Sequence, residues 1–352
     1  MACTATNEYK SPVIRPGFCA SVMESFMVDE PFLPVIWARS PHIQTIFGSL
    51  GFRAAGKNEM TLLAREVITD AGNGSRLLGY HSRQRVRPPR GMIVLIHGWE
   101  GSSDSTYVLS TGRFFFQRGY DIFRLNLRDH GRSHHLNRGL FHGALTDETV
   151  QAVGNIARLL PDRPCHLIGF SLGGNFALRV ALHQSTSAIR NIGRVFAVSP
   201  ALDPYRSTLA IDKSFPIYRI YFLAKWKRSL RKKQRCFPEL YRFEDILHRK
   251  TCMSLTEAIM PWYTEFANYR DYFNRYTLTG DALTSLATPV TIITSEDDPV
   301  VPVEDFHHLP RSRYLDISIQ RYGGHCGFLD PFPMGCWYER RIGKILEQEE
   351  NT

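Results

Sequence analysis

No stretch of this chain runs to about eighteen apolar residues without a charge, so no segment is expected to cross a membrane as a helix. The first thirty residues carry Glu8 and Lys10 and hold no apolar signal core, which leaves the cytoplasm as the expected compartment. CxxC spacings are missing: the seven cysteines are scattered and odd in number, which suits reduced thiols better than a disulfide framework. Cys326 stands out because it adjoins His325. His130, His134, His135 and His142 lie close together, but neither HExxH nor a comparable ligand spacing occurs, so no metal and no cofactor is expected. Internal repeats, low-complexity tracts and nucleic-acid-binding motifs are absent as well.

Acidic residues are scarce in one place. Between residues 205 and 250 there are 13 Lys or Arg against 4 Asp or Glu, a net +9 that equals the charge of the whole chain. The same stretch carries Tyr218, Tyr221, Phe222, Leu223 and Trp226. Such a basic, aromatic segment suits either a plain solvated helix face or peripheral contact with an anionic membrane surface; nucleic acid is not expected.

What is present is a soluble globular composition, 43% apolar and 22% charged over 352 residues. That length suits a sheet domain with an inserted subdomain. Residues 1–30 read as an arm. The segment from Phe32 to Ile46 is apolar and punctuated by proline, and should lie against the core. Thr61 to Thr69 and Arg76 to His81 read as antiparallel strands joined by an Asp-Ala-Gly-Asn-Gly turn. Met92 to Ile96 is an unbroken apolar run, as in a strand buried on both faces. Strands and helices then alternate: helix from Tyr107, strand from Tyr120, helix over 146–160 with Thr146 as N-cap, strand from Cys165, helix after Ser171, strand from Arg194. Such βαβ alternation implies a parallel sheet with helices on both faces. It stops at Asp203 and resumes near Pro289, so residues 31–203 and 288–352 are expected to form the core, with 204–287 an inserted helical cap.

Candidate chemistry centres on Gly169-Phe170-Ser171-Leu172-Gly173-Gly174, between an apolar strand and a helix. A serine at the tip of a sharp strand-to-helix turn needs neighbours without side chains two residues to either side, and Gly169 and Gly173 meet that need. A hydroxyl becomes a useful nucleophile only when a base takes its proton and a carboxylate holds that base. Two late strands lead into Ser295-Glu296-Asp297-Asp298-Pro299 and Gly323-Gly324-His325-Cys326-Gly327, which supply an acid and then a histidine. Asp298, immediately before the Pro-x-x-Pro unit, is favoured over Asp297. Backbone amides of Leu172 and of Trp99, in the loop opened by Gly98, are the expected oxyanion donors. His97 reads as structural, and His142 and Asp297 as supporting residues.

These segments, with Pro41-His42-x-Gln44-Thr45, His97-Gly98-Trp99-Glu100-Gly101, Asn126-Leu127-Arg128 and Phe141-His142, resemble the YheT-like branch of the α/β-hydrolase superfamily, also called AB hydrolase family four. The resemblance runs from about residue 32 to the last helix. It implies an α/β-hydrolase fold, a mostly parallel central sheet with helices on both faces and an inserted helical cap. Nucleophile, acid and base would fall on Ser171, Asp298 and His325. The implied activity is carboxylic-ester hydrolysis through an acyl-enzyme, on medium-chain or lipid-like acyl esters. An acyltransferase would use the same residues and differ only in how the acyl-enzyme partitions. A non-catalytic lipid-binding or partner-binding relative would have lost one of the three.

Overall fold

The computed structural model describes residues 31–331 and 334–351; the arm expected over residues 1–30 lies outside them. Helix α1 (Pro41–Ser49) and the short α2 (Glu59–Leu62) precede a hairpin of β1 (Ala64–Asp70) and β2 (Arg76–Ser82). Alternation follows: β3 (Met92–Ile96), α3 (Thr106–Phe116), β4 (Asp121–Leu125), α4 (Thr146–Ala157), β5 (Cys165–Phe170), α5 (Leu172–His183) and β6 (Ile192–Val198). Four α-helices come next, α6 (Pro204–Lys213), α7 (Pro216–Cys236), α8 (Cys252–Tyr263) and α9 (Tyr269–Asn274). The chain ends with β7 (Val290–Ser295), α10 (Glu304–His307), β8 (Leu315–Gln320), the small pair β9 (Leu329–Pro331) and β10 (Met334–Cys336), and α11 (Trp337–Glu350). No helix among the described residues is long and apolar enough to cross a membrane.

Eight strands make one sheet in the order β1-β2-β4-β3-β5-β6-β7-β8. The β1/β2 and β2/β4 pairs are antiparallel and the rest are parallel. Every residue of β3, β4 and β5 is buried. The two-residue period divides them between faces. Met92, Val94 and Ile96 pack into the layer that holds α4 and α5, while Ile93 and Leu95 join Phe115 of α3 and Ile342 of α11 on the other side. Because β3, β5, β7 and β8 run the same way, the loops after them open at one edge, where ligands of parallel sheets bind.

Two local expectations are corrected. Thr61 and Leu62 close α2 rather than start β1, and the hydroxyl of Thr61 donates to the Asn58 carbonyl at 2.7 Å. Thr146 is the first residue of α4, not its cap: Leu145 holds the cap position without a side-chain bond, and the Thr146 hydroxyl accepts from the guanidinium of Arg179 instead. A tertiary partner has displaced the local capping bond.

Between β6 and β7 the basic stretch folds chiefly as α7, and it is not uniformly solvated. Lys233 is fully buried; its ammonium donates to Asp129 Oδ1 at 2.8 Å, the Asn137 carbonyl at 2.7 Å and the Gly139 carbonyl at 2.8 Å. These three acceptors belong to the loop after β4, so the helix is latched to the sheet through a cation that in the sequence looks like its exposed neighbours.

Candidate active site

Ser171 is the joint between β5 and α5 and adopts φ 52° and ψ −119°, a conformation that costs a non-glycine residue energy and persists only where its surroundings enforce it. The enforcing contacts are close. A Cβ on Gly169 would lie 2.2 Å from the Gly173 carbonyl oxygen, and one on Gly173 would lie 2.3 Å from that of Ile96. The Ser171 amide donates to the Val198 carbonyl at 2.9 Å, and Asn175 bridges α5 to the carbonyls of Ala201 at 2.8 Å and Tyr276 at 2.9 Å.

The loops after β7 and β8 meet directly. His325 Nδ1 lies 2.9 Å from Asp298 Oδ2, and Asp298 Oδ1 accepts from the amides of Val300 and Val301 at 2.8 and 2.9 Å. Asp298 is thus held from one oxygen and free to orient the imidazole with the other. Asp297 points elsewhere: its Oδ1 accepts from the Gly324 amide at 2.9 Å, holding the histidine loop by its backbone. Thr45, from α1, accepts from the His325 amide at 2.9 Å, and Gln44 accepts from the Leu329 amide at 2.7 Å. Cys326 is buried, its thiol donating to the Val198 carbonyl at 3.6 Å and pushed well above the ordinary thiol range by that burial. It is not a reactive thiolate.

The loop after β3 is tied by its amides. Gly98 donates to the Tyr107 hydroxyl at 3.0 Å, Glu100 to His130 Nε2 at 3.2 Å and Gly101 to the Gly98 carbonyl at 3.0 Å. Between them the Trp99 amide makes no bond to a described residue, and neither does the Leu172 amide at the first position of α5. The Trp99 indole stacks on Phe222 of α7 at 5.4 Å and meets Trp226 edge-on at 5.1 Å. His97 donates from Nδ1 to the Gly98 carbonyl and accepts at Nε2 from the Leu127 amide, so both ring nitrogens serve the backbone.

Two cavities meet at Ser171. The smaller, about 80 Å³, is walled by Trp99, Phe141, Leu172, Met260 and Tyr276. The larger, about 540 Å³, opens between α1 and α7 and includes His325, Gly98 and Tyr107. His142 lies in the wall of the smaller one, with Nε2 3.2 Å from a carboxylate oxygen of Glu265, and touches neither Asp298 nor His325. Tyr107, Thr45 and Phe222 escaped functional assignment from sequence. Nothing local marks the role of Tyr107 or Phe222, since it comes from which loops they face. The sequence pattern around Gln44 and Thr45 was visible as a motif, though not what it held.

Burial sets the protonation of the surrounding histidines. It lowers His130, His142 and His166 to about 4, His134 to about 3, and His97 well below the ordinary imidazole value. In the unfolded chain each would take up a proton near pH 6.5, so their contribution to stability is complete above that pH and is lost as pH falls toward 4. Four carboxyls raised by burial, Glu100 to about 8, Asp129 and Asp305 to about 6, and Asp297 above the ordinary carboxyl value, act in the opposite sense. Five against four leaves the histidines ahead, so the melting temperature should drop between pH 6.5 and 4.5. Thermal scans across that range would refute this with a flat or rising midpoint.

A mostly parallel eight-stranded sheet whose elbow strand runs into a strained residue and then a helix is the architecture of the α/β hydrolases. The chain belongs to the alpha/beta hydrolase family, whose profile matches residues 93–333. Curated relatives include the monoacylglycerol lipase of Saccharomyces cerevisiae, 21% identical over 293 residues, which are 78% of this chain and 64% of that protein. The chain therefore spans less than two thirds of the yeast relative. Monoacylglycerol lipase ABHD2 of Danio rerio is 21% identical over 332 residues, 88% of this chain and 77% of that one. Among solved structures, the Pyrococcus furiosus esterase Pf2001 superposes with a TM-score of 0.51 at 17% identity, over 81% of this chain and 92% of that chain. That likeness is one of fold.

Proposed function

We propose that this protein is a serine carboxylic-ester hydrolase of the YheT-like branch, working through an acyl-enzyme. His325, oriented by Asp298, takes the proton of Ser171 as the serine oxygen attacks the ester carbonyl. The amides of Trp99 and Leu172 stabilise the oxyanion. His325 then protonates the departing alcohol, and in the second half it removes a proton from water as the water oxygen attacks the acyl carbon, and returns that proton to the Ser171 oxygen as the acid is released. The 2.9 Å contact between His325 and Asp298, beside a cavity that also contains Ser171, carries this assignment.

The positions of the two cavities divide the substrate. The group that protonates the leaving oxygen must reach it, and His325 lines only the larger cavity, so the alcohol belongs there and the acyl chain in the smaller. At about 80 Å³ that cavity is smaller than the roughly 150 Å³ apolar cavity that accepts a benzene ring. The substrate class is therefore a short acyl group on a bulky alcohol, shorter in the acyl part than the medium-chain expectation, with the α6–α9 segment acting as the cap that closes the acyl side. Turnover of p-nitrophenyl acetate, butyrate and octanoate by wild type and Ser171→Ala tests this. The expected result is kcat/KM at least roughly tenfold lower for octanoate than for butyrate, consistent with overpacking a small apolar site. Absence of Ser171-dependent turnover on every ester would remove the hydrolase reading, and a rise with chain length would reverse the cavity assignment alone.

A further inference from the structure

Helix α7 is 21 residues long and contains no Asp or Glu. Seven of its exposed positions form one stripe. In the first half they are Ile217, Ile220 and Tyr221, at 46%, 63% and 47% exposure. In the second half they are Arg228, Arg231, Lys232 and Arg235. With 3.6 residues per turn, all seven fall within an arc of roughly 120°. The opposite side carries Leu223, Leu230 and the latched Lys233, all buried. The outward face is thus sharply divided along its length into an apolar half and a cationic half.

The apolar half sits at the mouth of the larger cavity. Ile217 and Tyr221 line that mouth, as does Leu50 of α1, itself 44% exposed. The two lips are joined by His42, whose Nδ1 is 2.8 Å from the Tyr218 hydroxyl and whose ring lies 5.5 Å from that of Phe215, another exposed aromatic.

We propose that this stripe docks the protein on an anionic lipid bilayer, Ile217, Ile220 and Tyr221 entering the headgroup region while the four cations hold the surface charge, so that the mouth of the larger cavity faces the lipid. Charge complementarity identifies the surface as anionic, and the exposed aliphatic side chains identify it as lipid: a nucleic acid would engage the cations but offer nothing to Ile220. A merely solvated face has no reason to expose Ile217 and Ile220 beside a cavity entrance. Docking itself stands on exposure and charge; only the delivery of a lipid-borne ester to Ser171 rests on the hydrolase reading.

Cosedimentation of the full chain with vesicles tests the surface apart from catalysis. Binding is expected to mixed phosphatidylcholine/phosphatidylserine vesicles, weakened by salt, and not to pure phosphatidylcholine. Each cation at such a surface is worth roughly fivefold in partitioning, so Arg231→Glu/Arg235→Glu should lower vesicle binding at least roughly 25-fold. Ile220→Asp should lower it severalfold at unchanged charge on the basic half. Both variants should keep the wild-type melting temperature and turnover of soluble p-nitrophenyl acetate, and Ser171→Ala should bind vesicles like wild type. Vesicle binding indifferent to both variants would overturn the proposal, as would tight binding of duplex DNA that Ile220→Asp leaves intact. Normal vesicle binding together with no Ser171-dependent turnover would sink the hydrolase reading and leave the docking surface standing.

Discussion

Ser171→Ala is expected to reduce ester turnover by about five to six orders of magnitude, leaving what oxyanion donors and binding alone supply. Alanine removes only the hydroxyl. The strained backbone of the elbow is enforced by Gly169, Gly173 and the Val198 carbonyl, so the melting temperature should stay at or slightly above that of wild type. Asp298→Asn should cost about four orders of magnitude. Its Oδ1 can still accept the Val300 and Val301 amides, but an amide nitrogen at the Oδ2 position faces His325 Nδ1. Two donors then oppose each other unless the imidazole changes tautomer, and a changed tautomer presents a proton rather than a lone pair to the serine. Asp297→Asn should cost far less, within roughly a hundredfold, because an asparagine oxygen can still accept the Gly324 amide. Equal losses at the two positions would sink the assignment of Asp298, and Ser171→Ala turnover within tenfold of wild type would sink the acyl-enzyme.

Lys233→Met is expected to be the most destabilising single change away from the site. The substitution keeps chain length and apolar stem but leaves the Asp129 carboxylate buried without its cation, beside the Asn137 and Gly139 carbonyls that also lose their donor. Breaking one side of a buried pair costs about 3–5 kcal/mol, and the melting temperature should fall by roughly 4–7 °C. Asp129 Oδ2 also accepts from the Phe141 amide at 2.8 Å, and Phe141 lines the smaller cavity, so the acyl side should loosen too. Adding Asp129→Asn removes the uncompensated charge, and the double variant should recover more than half of the loss, a coupling that a double-mutant cycle measures. A loss below about 1 kcal/mol in the single variant would mean that Lys233 is not a latch.

Much of the core was legible because its signals are short in range. The apolar run of β3, the Asp-Ala-Gly-Asn-Gly turn between β1 and β2, and the spacing of glycines around Ser171 each follow from steric demands of a few neighbouring residues. Thr146 failed as a cap for the converse reason: Arg179, distant in sequence, competes for its hydroxyl. Lys233 was indistinguishable from Lys232 in the chain, and only the closure of the β4 loop over it separates a buried ion from an exposed one.

By itself, then, the amino-acid order determined that a strand-elbow-helix unit would form at Ser171 and that an acid and a histidine would follow it after late strands. These depend on backbone sterics and on the parallel direction of the strands. The sequence already favoured Asp298 over Asp297 and named the Trp99 and Leu172 amides; the tertiary structure alone decided that Asp297 instead holds the Gly324 amide, and how the space beside Ser171 divides into a smaller and a larger cavity. Those outcomes depend on distances between loops that the sequence separates by tens to hundreds of residues, and only packing brings such loops within hydrogen-bonding reach.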